Sequence, residues 1–135
     1  MPTPTRTRTP SGMYFFTLTP CRLIDTRGST GPLGGPALVA GAQRTFSLTG
    51  NCGVPSSARS LSLNITVTGP TAPGDLKFFA AGTSVPVSTT MDYSANQTRA
   101  NNAIPALSAS GALTVQCDQP SGTVHLIVDV NGYFE

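Results

Sequence analysis

Hydrophobic and polar residues alternate with a period of two along much of the chain. In Ser60-Leu61-Ser62-Leu63-Asn64-Ile65-Thr66-Val67-Thr68, the residues Leu61, Leu63, Ile65 and Val67 fall on one face and Ser, Asn and Thr on the other. Successive strand side chains point to opposite faces, so the pattern predicts a half-buried strand of an antiparallel sheet. Val124-His125-Leu126-Ile127-Val128-Asp129-Val130 repeats it, with Val124, Leu126, Val128 and Val130 inward. Weaker runs predict strands at Tyr14–Leu18, Arg22–Thr26, Thr45–Leu48, Leu76–Ala80, Thr89–Tyr93, Arg99–Ile104 and Leu113–Cys117.

Turn chemistry separates these runs. Gly69-Pro70-Thr71-Ala72-Pro73-Gly74 follows the longest one, and Ser110-Gly111 and Pro120-Ser121-Gly122 bracket the strand near residue 115. Gly28 to Gly41 is the longest irregular stretch, and its Gly34-Gly35-Pro36 centre disfavours a helix. No window carries a helical period. About nine short strands with regular turns predict an all-β chain folded as a sandwich or a barrel. The expectation carried forward is an antiparallel β-sandwich, jelly-roll or Ig-like.

Composition narrows the function classes. Only 10% of the 135 residues are charged, against roughly 25% in ordinary soluble domains, and Ser, Thr, Asn, Gly and Pro fill the difference. Arg6 and Arg8 lie near the start, and without them six basic residues face six acidic ones. Phosphate recognition needs clustered Lys and Arg, and base stacking needs an aromatic platform. With neither, nucleic acid is not an expected partner. No run is long and apolar enough for a spanning helix, so membrane insertion is not expected either. Residues 1–12 alternate Pro and Thr, which favours an extended linker. They are read as a linker remnant without a signal peptide, ahead of a β-sandwich domain at 13–135, and the chain as a module of a longer secreted or cell-surface protein.

Three cysteines, Cys21, Cys52 and Cys117, allow at most one internal bridge. Cys21 and Cys52 each adjoin turn residues, and a Cys21–Cys52 disulfide implies an oxidising compartment. Cys117 ends a strand and reads as a buried thiol or an intermolecular one. Zinc is disfavoured by the lack of C-x-x-C and by a single histidine, so no metal or cofactor is expected. That histidine, His125, shares a strand face with Ile127 and Asp129. A His–Asp pair could orient a nucleophile, but a solvent-side polar residue is the plainer reading, with no G-x-S-x-G beside it. The five aspartates are scattered and Glu135 is the only glutamate, so no glycosidase pair is visible. No catalytic residue is assigned, and the chain is not expected to be an enzyme. Asn64-Ile65-Thr66 and Asn96-Gln97-Thr98 match a glycosylation sequon, a common chance pattern.

Asp25-Thr26-Arg27 places a carboxylate and a guanidinium on one strand face before the glycine-rich loop. A structural polar cluster of Asp25, Arg27 and Asp129 is expected, with Arg27 bonding loop carbonyls. A ligand-binding corner is the alternative.

These residues also carry a resemblance. Phe16-x-Leu18-x-Pro20-Cys21-Arg22-Leu23-Ile24-Asp25-Thr26-Arg27, Gly34-Gly35-Pro36 and Cys52-Gly53-Val54-Pro55 make its first half. Leu63-Asn64-Ile65-Thr66-Val67, Gly74-x-Leu76, Ala100-Asn101 and Val128-Asp129-Val130-Asn131-Gly132-Tyr133-Phe134 make the second. Over residues 13–135 the chain resembles the "LDTR…VDVxGYF" modules appended to secreted and surface proteins of acidobacteria, actinobacteria and related soil bacteria. The resemblance implies an extracellular accessory module, supports the Cys21–Cys52 pairing and implies no reaction; Cys117 lies outside its pattern. The leading expectation is a non-catalytic module for surface attachment, assembly or display. A carbohydrate-binding module, meeting a glycan or cell-wall polymer through a platform of Tyr93, Phe78 and Phe79, is one alternative. A self-assembling subunit that binds copies of itself is another.

Overall fold

The computed structural model describes Met1, Pro2 and residues 11–135; the expected linker over 1–12 falls largely outside them. The described residues form nine strands and no helix. In order they are β1 (Phe15–Asp25), β2 (Leu38–Val39), β3 (Gln43–Ser47), β4 (Ser60–Thr68), β5 (Gly74–Ala80), β6 (Met91–Tyr93), β7 (Arg99–Ala103), β8 (Ala112–Asp118) and β9 (Thr123–Phe134). The runs at Tyr14–Leu18 and Arg22–Thr26 merge into the single strand β1. Pro20, between them, sits where the pairing with β9 shifts register, on an edge strand that tolerates the missing N–H.

The strands make two antiparallel sheets, ordered β1-β9-β4-β7 and β3-β8-β5-β6, with β2 added beside β9. The pairing is nested. β1 pairs with β9, β3 with β8, β4 with β7 and β5 with β6, and alternate pairs lie in opposite sheets. A long ribbon rolled in this way is a jelly roll. The Ig-like order and the closed barrel are thereby replaced.

Alternation places the core as the sequence implies. Leu61, Leu63, Ile65 and Val67 of β4 and Leu126, Val128 and Val130 of β9 are buried. They form one cluster with Phe46, Leu76, Phe78, Leu113 and Val115 of the other sheet. Cys21 on β1 is bridged to Cys52 in the β3–β4 connection. Cys52 takes a left-handed φ of 53°, which a side chain adopts only where its surroundings hold it. Cys117 is free and buried, against Tyr93 and Gln119. Burial pushes its thiol pKa up, and the buried site leaves no access for an intermolecular bridge.

The loop after β1 is held differently from expectation. Arg27 is exposed and its guanidinium bonds Asp25, at 2.9 and 2.8 Å, with no bond to a loop carbonyl. Arg44 of β3 supplies that clamp. Its guanidinium donates to the carbonyls of Pro36 at 2.9 Å and Gly31 at 2.8 Å, and reaches Gly35 at 3.4 Å. The same group lies 4.7 Å above the Phe46 ring. Burial without a carboxylate partner lowers its pKa, so carbonyl dipoles and the ring face are what stabilise the charge. Arg44→Ala is expected to cost about 2 to 3 kcal/mol, because it strands part-buried acceptors. Arg27→Ala should cost clearly less, because its ion pair is exposed and screened by solvent. Urea titration of both variants checks the ranking, and an Arg27 loss larger than the Arg44 loss would refute it.

Candidate functional site

The outward face of the β1-β9-β4-β7 sheet gathers most of the chemistry. Cross-strand register sets Arg22 opposite Asp129, Asp129 opposite Asn64, and Asn64 opposite Asn102. With strands about 4.8 Å apart, these four side chains form one polar row across the sheet. Arg22 grips Asp129 through two bonds of 2.9 and 3.2 Å, and also reaches Asp25 at 3.7 Å. With Arg27 on Asp25, charges alternate along this side of the face. Asp129 thus joins the cluster through Arg22 and not through Arg27, because register places Arg22 directly across from it. A shallow cleft lined by Pro20, Cys21, Arg22 and Asp129 opens at this end. At the other end Asn102 is exposed and Asn64 partly so, which leaves planar amides open to solvent.

Arg27 holds the Asp25 carboxyl down at about 2, below its ordinary value near 3.9. A depressed folded-state value stabilises the fold above the unfolded value, and this contribution disappears as pH falls from about 4 to about 2. Solvent screening at this surface limits it to under about 1 kcal/mol. The difference in acid stability between the natural chain and Asp25→Asn should therefore open above pH ~4 and close near pH ~2. A difference constant through that window would show that the pair carries no stability.

Aromatic rings stand on the same sheet, though not those expected. Tyr93, Phe78 and Phe79 are only 5, 7 and 8% exposed and present no stacking face. Tyr93 and Phe78 belong to the core cluster, and the Tyr93 hydroxyl donates to Gln119 at 2.6 Å. Phe79 points to the outer side of the second sheet, opposite Thr114, and is covered there as well. The exposed rings Phe15 and Phe16 lie where the start of β1 meets the end of β9, against the part-buried Phe134 and Tyr133. Phe15 and Phe134 pair at 4.9 Å, and Phe16 stacks on Tyr133 at 5.3 Å. A bulge causes this. Gly132 opposes Ser62 while Val130 opposes Leu63, so one extra β9 residue, Asn131, flips the strand. Phe134 then joins the outward set and Tyr133 packs against the core. Gly132 is required here, since a Cβ would collide with the Phe15 ring.

His125 and Asp129 form no dyad. Ile127 lies between them on the outward face, and His125 Nδ1 bonds the Thr26 hydroxyl at 3.1 Å. Thr26 Oγ1 accepts the Leu126 N–H at 2.8 Å, so the residue ties the end of β1 to β9. On the second sheet, Asp118, Asp75 and Asp92 lie side by side. Burial first, then the two neighbouring carboxylates, raises the Asp75 pKa, and its Oδ1 is buried without a partner. Among the described residues, no group of three or more His, Cys, Asp or Glu is placed to hold a metal ion, and no helix is long and apolar enough to cross a membrane.

No protein-family model and no curated protein matches the chain.

Proposed function

We propose that the domain is a non-catalytic extracellular accessory module that attaches to a neutral, hydroxyl-rich polymer, a glycan or cell-wall polysaccharide, through the outward face of the β1-β9-β4-β7 sheet. The observation that carries the reading is the row Arg22–Asp129–Asn64–Asn102. Paired sugar hydroxyls suit planar amides, which donate and accept in one plane, and carboxylates, which accept. Phe15 and Phe134 lie on the same face and offer ring surface to a pyranose. A rigid strand-borne site of this kind is shaped before the ligand arrives. The low charge of the chain favours an uncharged ligand, and the Cys21–Cys52 bridge suits an oxidising extracellular setting.

The test is retention of the protein on insoluble neutral polysaccharides and peptidoglycan, with the Asn64→Ala/Asn102→Ala double variant beside it. Retention of the natural chain on at least one polymer, reduced tenfold or more in a double variant of unchanged melting temperature, is the expected result. No retention on any polymer, or equal retention of both proteins, would overturn the reading.

A further inference from the structure

Among the described strands, the edges at β6, β7 and β3 are protected against further pairing, and β2, beside β9, has only two residues. β6 has three residues and carries Asp92. β7 turns Arg99 and Asn101 onto the Asp92 and Thr90 carbonyls of the opposite sheet. β3 carries Arg44 and Gln43. Such charges and short lengths are how natural sheets blunt their edges. The start of β1 has none of these devices. From Met13 to Cys21 there is no charged residue, and Met13, Tyr14, Phe15 and Phe16 are 52, 77, 48 and 42% exposed.

The backbone there is available in a defined pattern. Tyr14 and Glu135 exchange two bonds, Tyr14 N–H to Glu135 O at 2.8 Å and Glu135 N–H to Tyr14 O at 3.1 Å. Tyr14 and, two residues on, Phe16 thus direct their peptide groups toward β9. In an antiparallel ladder the residues between them direct theirs away. Among the described residues, Met13, Phe15 and Thr17 therefore have N–H and C=O groups without a strand partner along the edge. The rings are already held, Phe15 by Phe134 and Phe16 by Tyr133, so little ordering remains to be done on contact.

We propose that this edge is a homodimer interface in which Met13–Thr17 pairs antiparallel with the same segment of a second copy about a two-fold axis at Phe15. The segment is complementary to itself in that register. Phe15 exchanges both backbone bonds with Phe15 of the second copy, and Met13 does so with its Thr17. Tyr14 falls opposite Phe16, an aromatic pair on each side of the axis, and no like charges meet. Pro20 and the register shift after Thr17 end the pairing. A two-fold axis normal to the sheet joins two copies into one continuous sheet whose outward faces point the same way. Two attachment faces then meet one surface together, which raises avidity without any new ligand contact. The interface uses strand-edge backbone groups and not the polar row, and shares only Phe15 with the proposed attachment face.

Analytical ultracentrifugation of the full chain across a dilution series, from millimolar to micromolar protein, tests it. A reversible monomer–dimer equilibrium is expected, abolished by Thr17→Pro, which removes a free-edge N–H and keeps every ring, and by Phe15→Lys, which sets like charges at the axis. Both variants should keep the disulfide and melt cooperatively as monomers. Amide exchange on the natural chain gives a second reading that needs no variant: the Phe15 and Thr17 N–H groups should exchange at least tenfold more slowly at high than at low concentration. A natural chain that stays monomeric throughout, open-ended growth beyond the dimer, a dimer that persists in both variants, or concentration-independent exchange at Phe15 and Thr17 would each overturn the proposal. Polymer retention measured on the Thr17→Pro variant, which keeps Phe15 and the whole polar row, separates this outcome from that of the attachment reading.

Discussion

Replacing Ile65 with alanine is expected to lower the unfolding free energy by about 3 to 5 kcal/mol, the upper part of the range for truncating a buried aliphatic side chain. Ile65 has no exposed surface and sits mid-way along β4, between Val128 on β9 and Asn101 on β7. Central strands paired on both sides cannot collapse readily into a void, so the cavity term adds to the lost transfer energy. Its neighbour Thr66 points outward and is only partly buried. Thr66→Ala should change stability by less than about 1 kcal/mol. Denaturant unfolding of the two variants is a direct check on which face is inside. Equal losses at Ile65 and Thr66 would mean that the face assignment of β4 is wrong.

Removing the disulfide is expected to cost a similar amount, about 3 to 4 kcal/mol, by the chain-entropy model for a closed loop of this length. The bridge spans 31 positions and ties an edge strand to the β3–β4 connection. It therefore restrains two segments that the sheets hold least. For a chain of 135 residues the loss corresponds to a drop of about 10 °C in melting temperature. The Cys21→Ala/Cys52→Ala variant, melted beside the natural chain under non-reducing conditions, checks it. Cys117→Ala should leave the bridge intact, with a smaller loss set by packing against Tyr93. A double variant that melts within about 2 °C of the natural chain would show that the bridge constrains nothing.

The fold was legible where one face is buried and the other is wet. β4 and the first part of β9 declare their inward residues by strict alternation, and turn residues beside Cys21 and Cys52 pointed to the bridge. Legibility failed where register departs from a simple count. The extra residue at Asn131 reverses Tyr133 and Phe134, so the exposed rings could not be assigned from the pattern that placed Val124 to Val130. Arg22 opposes Asp129 because of pairing between chain segments 107 positions apart, which a local Asp25–Arg27 pattern does not contain. Arg44 alternates in phase with Phe46 and so faces inward, but only the tertiary position of the Gly31–Pro36 carbonyls gives its guanidinium a task. Phe78 and Phe79 are adjacent and point to opposite sides of β5, yet the platform expected of them with Tyr93 does not form because both sides are covered at these positions.

The candidate site was half visible. Asp25 and Asp129 were singled out as polar residues on the correct face, whereas Arg22, Asn64 and Asn102 lacked any local signal of their own. Asn64 sits in a sequon-like triplet, yet its place in the row follows from cross-strand neighbours on β9 and β7. Sheet faces are assembled from residues distant in sequence, and a single strand shows only one column of them.

The most direct measurement of the attachment claim is a titration of the isotopically labelled chain with soluble fragments of a retained neutral polysaccharide, followed by backbone and side-chain amide resonances. Shifts concentrated at Arg22, Asn64, Asn102 and Asp129, including the side-chain amides of both asparagines, are the predicted result. Shifts confined to the β3-β8-β5-β6 sheet, or none at saturating fragment, would contradict it.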